Sequence, residues 1–482
     1  MYKLIDSILT KFKPCFKREA TFQTFVILVI GMLLRKDTRG ISSIVSALRL
    51  KPKCYFNLIH FFRSKAYELK DLKKTWVKSV EENIDIVKVN DYSILIGDNI
   101  KIAKEAKKMP AIKKLHQDSS NSGKAECIYG HNHGVVGVLA QSNGNLCCIP
   151  ILSEIQEGVN QIKDFISKQQ PKGFQKYTKR DPKKDLSIVA KMVHLAGEYI
   201  SITARKSVLI VDAFFASSNA FETAVNIGKD FLVLIVRAKC NFVGYRHSVD
   251  KNGKSIKHDD EKIKIYKLFD SVADQFESQK VSLYRKKENI QYYCIDLLWG
   301  TFNEPIRFVL VKHNSENFVL MCSDITMDPL TIIKLYSYRF KIEVTFKSLK
   351  NTIGGFFYHF WCKVMPKCSR KDTETDLASI SSVKDKLSII DTLKAIEIFV
   401  FISCMATGIL QIIALKYPKT VWAKYSGWLR TRKPETVSIE TVRFSLQEEL
   451  LWNFHKVNDY ATLQMIKNFQ RDSLFLYDEE AS

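Results

Sequence analysis

The chain has 482 residues, more than one ordinary domain contains, and 46% of them are hydrophobic, which excludes a chain that is disordered overall. Its 74 Lys and Arg residues exceed its 51 Asp and Glu residues by 23, and such an excess favours a polyanionic partner, either nucleic acid or an anionic membrane. The 11 cysteines form no Cys-x-x-Cys pair, which argues against a zinc framework, and the start of the chain lacks a signal-peptide pattern, so we expect a reducing cytoplasm.

The first 85 residues are predicted to form a helical N-terminal domain that binds DNA. Within it, residues 39–64 contain two short apolar-periodic segments that are broken at the sequence LKPK. This pattern is typical of a helix-turn-helix, which would lay its second helix against DNA. Plain packing of two short helices explains the pattern equally well.

The hydrophobic period changes after residue 85, and residues 86–225 are predicted to form the first part of a mixed α/β core. A short apolar run over 91–99 ends in Asp98. A second buried strand begins at residue 207, ends in Asp212 and is followed by a helix. Both strands have the continuous apolar character that is typical of parallel strands buried on two faces.

Two further elements are predicted between these strands. Residues 126–152 read as two strands joined at Asn143-Gly144, which is a hairpin signal. Residues 156–169 predict a helix, and a basic stretch over 171–184 follows it.

The remaining residues divide into three predicted regions. Residues 226–330 are strand-rich and predict a β-rich insertion, residues 331–417 predict the second part of the core, and residues 418–482 predict a helical C-terminal region with a short acidic tail. The apolar stretch 395–415 is long enough to cross a membrane. Because Glu397 and three other polar residues interrupt it, we expect a buried core helix instead.

A stripe of charged and polar residues is predicted on the segment YSYRFKIEVTFKSLK at 336–350. In a continuous α-helix, residues seven apart point the same way, so Tyr336, Glu343 and Lys350 share one face and Arg339 lies close to it. The single glutamate among so many basic residues is either ion-paired within the helix or a metal ligand whose neighbours grip an anion.

The two strand-borne aspartates and this glutamate predict a metal site. Sheets of parallel strands bind ligands at the carboxyl ends of their strands, which is where Asp98 and Asp212 are expected. Three clustered carboxylates repel one another unless a cation binds, and Mg²⁺ prefers such oxygen ligands together with phosphate and water. A pair of such ions cleaves phosphodiesters, and the abundant lysines would then hold the polyanionic substrate.

The spacing Tyr336-x2-Arg339-x3-Glu343-x6-Lys350 resembles the YREK signature of the DDE transposases of bacterial insertion sequences, in the branch founded on insertion sequence four. Other segments resemble that family too: GDNIKIAKEAKKMP around Asp98, Gly130-His131, IVDAFF around Asp212, and YHFW at 358–361. The resemblance covers residues 91–361 well, the first 80 residues loosely, and the C-terminal third only by position.

The resemblance implies an RNase H-like core that is interrupted by a β-rich insertion, with Asp98, Asp212 and Glu343 as catalytic residues that ligate two Mg²⁺ ions, for which Mn²⁺ can substitute. Asp98 would bridge the two ions. The implied reaction is cut-and-paste transposition: water attacks at the element's end, and the freed 3′-hydroxyl then attacks the opposite strand or the target DNA. Tyr336, Arg339 and Lys350 would contact phosphates of the terminal nucleotides.

The implied partners are the inverted repeats at the transposon ends, the target DNA and a second copy of the chain in the synaptic complex. No membrane is implied, and the expected location is the bacterial cytoplasm at the nucleoid. In relatives, a tryptophan of the insertion stacks on a flipped base, and Trp299 is the tryptophan of this insertion. A core position for Trp299 is an equal alternative.

Several residues have other interpretations. Asp98 and Asp212 could cap the elements that follow them, and His131 and His133 could bind metal, although a structural or DNA-contacting role is preferred. Trp361 is expected in the core. The alternative functions are a catalytically inactive, transposase-derived DNA-binding protein and a basic protein at a membrane surface.

Overall fold

The computed structural model describes residues 1–38, 40–117, 123, 125–162, 187–249, 255–283, 286–369, 375–453 and 460–471. The predicted helix over 156–169 begins in the described part, where residues 160–162 are helical, but its remainder lies outside the described residues. The basic stretch 171–184 and the acidic tail also lie outside them.

The N-terminal region is helical, as the sequence predicts. Its helices are α1 (Tyr2–Thr10), α2 (Glu19–Leu34), α3 (Ser42–Ala47), α4 (Cys54–Phe61) and α5 (Leu69–Asn83). Helices α3 and α4 flank the LKPK break, so the two predicted short helices are confirmed. Helix α2 is buried along most of its length because it is apolar on every face.

Strands dominate the middle of the chain. They are β1 (Asp85–Ile86), β2 (Lys88–Val89), β3 (Tyr92–Ala103), β4 (Lys113–His116), β5 (Cys127–Ser142), β6 (Asn145–Ile155), β7 (Ser207–Val211), β8 (Leu232–Arg237), β9 (Val243–Val249), β10 (Ser255–Lys264), β11 (Glu277–Leu283), β12 (Lys286–Trp299), β13 (Phe302–His313) and β14 (Glu316–Cys322). The predicted hairpin at Asn143-Gly144 is confirmed, since both residues have positive φ and Ser142 pairs with Asn145.

The strands form one mixed sheet in the order β1-β5-β3-β7-β8-β14-β13-β12-β9-β10, with β6 also paired to β5. Strands β3, β7 and β8 are mutually parallel, and the neighbouring pairs are antiparallel. The boundary predicted at residue 226 therefore does not separate two sheets, because β8 lies beside β7 and the strands that follow extend the same sheet. Hydrogen bonding between β8 and β14 makes the insertion continuous with the core.

Helices cover both faces of the sheet and continue to the C-terminus. They are α6 (Ile188–Thr203), α7 (Ser218–Gly228), α8 (Leu268–Ser271), α9 (Pro329–Tyr336), α10 (Lys341–Lys347), α11 (Val383–Lys416), α12 (Pro418–Lys424), α13 (Ile439–Asn453) and α14 (Ala461–Phe469), with a π-helical turn at Ser348–Ile353. The fold is thus mixed α/β, with the helical N-terminal and C-terminal regions that the sequence predicts.

Helix α11 is the predicted buried core helix. It has the length and composition of a membrane span, but 94% of its most apolar 18-residue window is buried inside the protein. Its Gln411 side chain donates to the carbonyl oxygen of Cys148 on strand β6 at 3.0 Å, and Trp76 of α5 donates to Pro150 on the same strand at 2.9 Å. Polar side chains of α11 and α5 therefore satisfy backbone carbonyls of an outer strand, which explains why Gln411 is tolerated in an apolar helix.

Candidate functional site: a carboxylate cluster at the parallel strands

The first two predicted acids meet where the parallel pairing of β3 and β7 ends. Ile96 on β3 pairs with Ile210 on β7, and Asp98 and Asp212 each lie two residues further along their strands. The two aspartates are therefore level on neighbouring strands, whose separation in a sheet is about 4.8 Å. Asp212 directly follows β7, as predicted, but β3 continues to Ala103 because it remains paired with β5.

Each aspartate is fixed by a backbone hydrogen bond close to it in sequence. The Oδ1 atom of Asp98 accepts the N–H of Asn99 at 2.7 Å. The Oδ1 atom of Asp212 accepts the N–H of Phe214 at 3.0 Å and thereby caps a short 3₁₀ turn at Ala213–Phe215. The capping role that the sequence offered as an alternative for Asp212 is real, and it leaves the second carboxylate oxygen outside that bond.

The segment that carries Glu343 is not one continuous helix, so the prediction of a single helical stripe over 336–350 was wrong. Helix α9 ends at Tyr336, α10 begins at Lys341, and the backbone between them forms turns whose N–H groups bond three residues back. The hydroxyl of Ser337 donates to the carbonyl oxygen of Lys334 at 2.6 Å, which competes with helical bonding at that point.

Arg339 lies between the first and third predicted acids. Its Nη1 atom donates to Oδ2 of Asp98 at 3.3 Å, and its Nη2 atom donates to Oε1 of Glu343. One guanidinium thus joins a strand-borne aspartate to the glutamate of α10. The ion pair that the sequence offered as an alternative for Glu343 is formed, and the same arginine also contacts Asp98.

The positive charge near Asp98 does not compensate for its burial and for the neighbouring carboxylates. Burial raises the pKa of Asp98 to about 7, with further rises from Asp212 and Glu343. The N–H of Asn99 and the Arg339 guanidinium oppose that rise without cancelling it. A group that is buried among like charges favours its neutral form, so a further cation would stabilise the ionised cluster.

The donor set fits a hard divalent cation in its chemistry, because all three side chains are carboxylates. Among the residues that the structure describes, however, no group of three His, Cys, Asp or Glu side chains is close enough to hold a metal ion. The Glu343 side chain is 57% exposed and is bound to Arg339. A three-carboxylate site therefore requires Glu343 to leave Arg339 and turn towards the aspartates.

Tyr336 lies within electrostatic range of the cluster. Burial raises its pKa to about 12, Asp212 and Asp98 add to the rise, and Arg339 and Arg237 oppose it. Lys350 is exposed and lies in the π-helical turn, where the wider backbone breaks the seven-residue repeat that the sequence assumed. Lys350 is therefore exposed on the same segment as Glu343, but the two residues do not lie on one face of a regular helix.

Trp299 occupies the hydrophobic core at the end of β12, where its side chain is 8% exposed. Its ring centroid lies 4.6 Å from that of Phe242 and 6.0 Å from that of Phe221. The structure therefore favours the core alternative for Trp299 over a base-stacking role. The prediction that Trp361 lies in the core was wrong, because its side chain is 58% exposed.

His131 and His133 form a structural hydrogen-bond cluster. Nδ1 of His131 and Nε2 of His133 lie 2.7 and 2.8 Å from the hydroxyl of Tyr358, and Nε2 of His131 lies 2.8 Å from the carbonyl oxygen of Pro110. Burial lowers the pKa of His131 to about 3, which keeps its ring neutral. The ammonium of Lys104 covers the Tyr358 ring at 3.5 Å, and burial lowers its pKa to about 7. These contacts favour the structural interpretation over a metal pair.

Arg237 is a charged residue near Tyr336 that the sequence analysis did not single out. It ends β8, the third parallel strand, and lies near enough to Tyr336 to influence its pKa. The signal was present, because the apolar run FLVLIV ends in a charged residue just as the runs before Asp98 and Asp212 do.

No protein-family model matches the chain. No curated protein matches it in sequence either. The function of the carboxylate cluster is therefore inferred from its geometry and from the motifs that it brings together.

Proposed function

We propose that the protein is a DNA transposase of the DDE type, which cleaves and joins DNA at the ends of its own insertion sequence. The observation that carries the proposal is that Asp98 and Asp212 lie level where the parallel pairing of β3 and β7 ends, while Arg339 binds both Asp98 and Glu343. These are the acids that the YREK resemblance requires.

Asp98, Asp212 and Glu343 would hold the Mg²⁺ ions, which when bound activate water and stabilise the leaving oxygen of a phosphodiester. The residues of the chain bind and orient the DNA strand around them. Arg339 has a rigid, planar guanidinium that can grip a phosphate with two hydrogen bonds once Glu343 releases it. Lys350, which is exposed beyond α10, supplies a positive charge for the DNA backbone.

The sheet order supports an RNase H-like core. Strands β6, β5 and β3 are antiparallel neighbours, and β7 and β8 continue parallel to β3. Asp98 lies on β3, and Asp212 directly follows β7. The β-rich insertion lies between Asp212 and Glu343 in sequence, where the resembling branch carries one. The proposed substrates are the inverted repeats and the target DNA, the proposed assembly is a dimer, and the proposed location is the bacterial nucleoid.

One observation favours a second candidate, a catalytically inactive DNA-binding protein of the same origin. Arg339 is already paired with both Asp98 and Glu343, and Glu343 faces solvent. An arginine that held this position permanently would keep the third carboxylate away from the metal site.

Cleavage by carboxylate variants tests the proposal. The purified chain is incubated with Mg²⁺ and a plasmid that carries its coding region together with the flanking DNA on both sides, and cuts are mapped by primer extension. Asp98→Asn, Asp212→Asn and Glu343→Gln should each lower the cleavage rate at least about a thousandfold, because groups that act as one unit fail together. Binding of the same DNA should persist, because lysines and arginines hold the backbone.

The matched control is Asp270→Asn, which neutralises an exposed carboxylate on α8 in the insertion and should leave cleavage unchanged. Full cleavage by any of the three site variants would contradict the assignment. Tight, specific DNA binding without cleavage by the native chain would select the inactive alternative.

A further inference from the structure

An extended segment after the π-helical turn presents a row of exposed side chains. From Phe356 to Lys363 burial alternates strictly: even-numbered residues are buried, while Phe357, His359, Trp361 and Lys363 are exposed. Side chains on one side of an extended chain repeat every ~6.6 Å. That spacing is about twice the ~3.4 Å rise of bases along one DNA strand, so a planar base fits between adjacent rings of the row.

The exposed face of α4 forms the opposite wall of a cleft. Tyr55 and Phe56 are exposed there, with ring centroids 5.5 Å apart, and the Phe56 side chain is 73% exposed. Arg63 closes one end by donating from Nη2 to the carbonyl oxygen of Trp361 at 3.3 Å. The two walls enclose a cavity of about 800 Å³, which we call the aromatic cleft.

The charge of the aromatic cleft selects an anion. None of the described residues that line it is acidic, whereas Arg63 and Lys363 are among them. The basic loop after β3 packs against the same segment: Nζ of Lys108 donates to the carbonyl oxygen of Lys363 at 2.8 Å, and the N–H of Cys362 donates to the carbonyl oxygen of Lys108 at 2.9 Å. Aromatic rings interleaved with positive charge are typical of surfaces that bind single-stranded nucleic acid.

The cleft is connected to the carboxylate cluster through both of its neighbouring segments. The basic loop leaves β3, the strand that carries Asp98, and its Lys104 donates to the carbonyl oxygen of Tyr358 at 3.2 Å. The extended segment follows α10, the helix that carries Glu343, after one π-helical turn. The two segments that meet at the cleft thus follow, in the chain, the strand that carries Asp98 and the helix that carries Glu343.

We propose that the aromatic cleft binds an unpaired stretch of DNA, with bases stacked on Trp361, Phe357 and Phe56 and phosphates held by Arg63 and Lys363. This inference rests on the proposed function, because it supplies a place for a strand that leaves the duplex near the acids. Duplex DNA cannot stack its bases on these rings, because its bases already stack on one another and expose only their edges.

The test measures affinity for a fluorescein-labelled oligothymidine of about 20 nucleotides and for a random duplex of equal length, by anisotropy with the full chain. Trp361→Ala and Phe357→Ala should each weaken oligothymidine binding about tenfold, the loss expected for one base–aromatic stack, while duplex affinity stays within about twofold. Trp361→Phe should keep most of the affinity because it retains a ring.

The matched control is Phe231→Ala. Phe231 and Phe357 are each 42% exposed, but Phe231 precedes β8 at the end of the parallel strands opposite to the acids, so its loss should leave oligothymidine binding unchanged. Unchanged affinity in both Trp361→Ala and Phe357→Ala would overturn the inference. An equal loss of duplex affinity would also overturn it, because the cleft would then bind duplex DNA. A loss of dimer mass by light scattering with DNA binding intact would overturn it too, because the cleft would then bind a second copy of the chain.

Cleavage assays keep this inference separate from the proposed function. If the acid variants still cleave, the assignment of the cluster fails whatever the cleft binds. If the acid variants are inactive and the aromatic variants bind oligothymidine as tightly as the native chain, only the cleft proposal fails.

Discussion

The pKa of Asp98 depends on the other charged residues of the cluster and on burial. Two neighbouring carboxylates and its own burial favour its neutral form, while one arginine and one backbone N–H favour its ionised form. The result is a carboxyl group with a pKa of about 7, poised to lose its proton when a cation arrives.

A pH dependence of stability follows from that pKa in the absence of metal. The ordinary pKa of Asp98 is 3.8 and its folded value is about 7, so between these values the folded chain binds more protons than the unfolded chain. The associated stability is present below about pH 4 and is lost as the pH rises towards 7, at up to about 1.4 kcal/mol per pH unit. Urea unfolding in EDTA at several pH values should show this loss.

Asp98→Asn is the comparison for that measurement, because asparagine stays neutral across the whole range. The variant should lose less stability than the native chain as the pH rises through this window, and its free energy of unfolding should exceed the native value above pH 7. Parallel pH profiles for the two proteins would show that Asp98 ionises normally. Saturating Mg²⁺ should remove the difference by stabilising the native chain.

The sequence could predict that Asp98 and Asp212 lie close together, but not how Arg339 holds Asp98 and Glu343. Asp98 and Asp212 were recognisable because each ends an apolar run, and the carboxyl ends of parallel strands are where such sheets bind ligands. The Arg339 bridge between Asp98 and Glu343 was not predictable, because it depends on how α10 approaches β3. The sequence left the burial of Trp299 open and placed Trp361 wrongly in the core, because both lie among aromatic residues, where burial depends on tertiary contacts.

At the scale of elements, the π-helical turn after α10 anchors the segment that carries Glu343 to the N-terminal helices. It ends at Gly354, whose φ is +71°, and a Cβ there would lie 2.5 Å from Cβ of Thr38 and 2.7 Å from its carbonyl oxygen. Arg35, fully buried at the end of α2, donates to the carbonyl oxygens of Ile353 and Gly354. The end of this turn is therefore fixed from two sides.

Gly354→Ala should destabilise the protein by about 2–4 kcal/mol, because a left-handed backbone and a collision with Thr38 act together. Gly144→Ala is a matched control, since Gly144 has the same φ of +71° but nothing within 4 Å of its added Cβ. That variant should lose only about 1–2 kcal/mol by urea unfolding. Equal losses in the two variants would mean that Thr38 moves aside freely.

Element boundaries explain what else the sequence could and could not predict. The hairpin at Asn143-Gly144 and the buried helix α11 were predictable, because turn chemistry and continuous apolar runs act locally. The continuation of β3 past Asp98 was not, because β5 holds those residues through pairing at long range. The break at Ser337–Phe340 was also hidden, since apolar residues continue through it at helical spacing.

For the whole molecule, the excess of 23 positive charges predicts DNA binding that weakens steeply with salt. If Lys350 touches a phosphate, Lys350→Ala should weaken binding of the element's ends and lower the slope of log K against log salt by about 0.9. Lys280→Ala, which removes an exposed lysine from β11, is the control and should leave the slope unchanged. An unaltered slope for Lys350→Ala would remove Lys350 from the DNA interface.

The continuous sheet has a consequence for how the chain comes apart. The insertion is attached to the core by more than its two chain connections, because β14 pairs with β8 and Trp299 packs against Phe221 of α7. A protease that cut one peptide bond within the insertion would leave two fragments joined by this ladder and this packing. Such a nicked protein should elute as one particle from a sizing column and separate only in denaturant, so the insertion unfolds together with the strands that bear the acids.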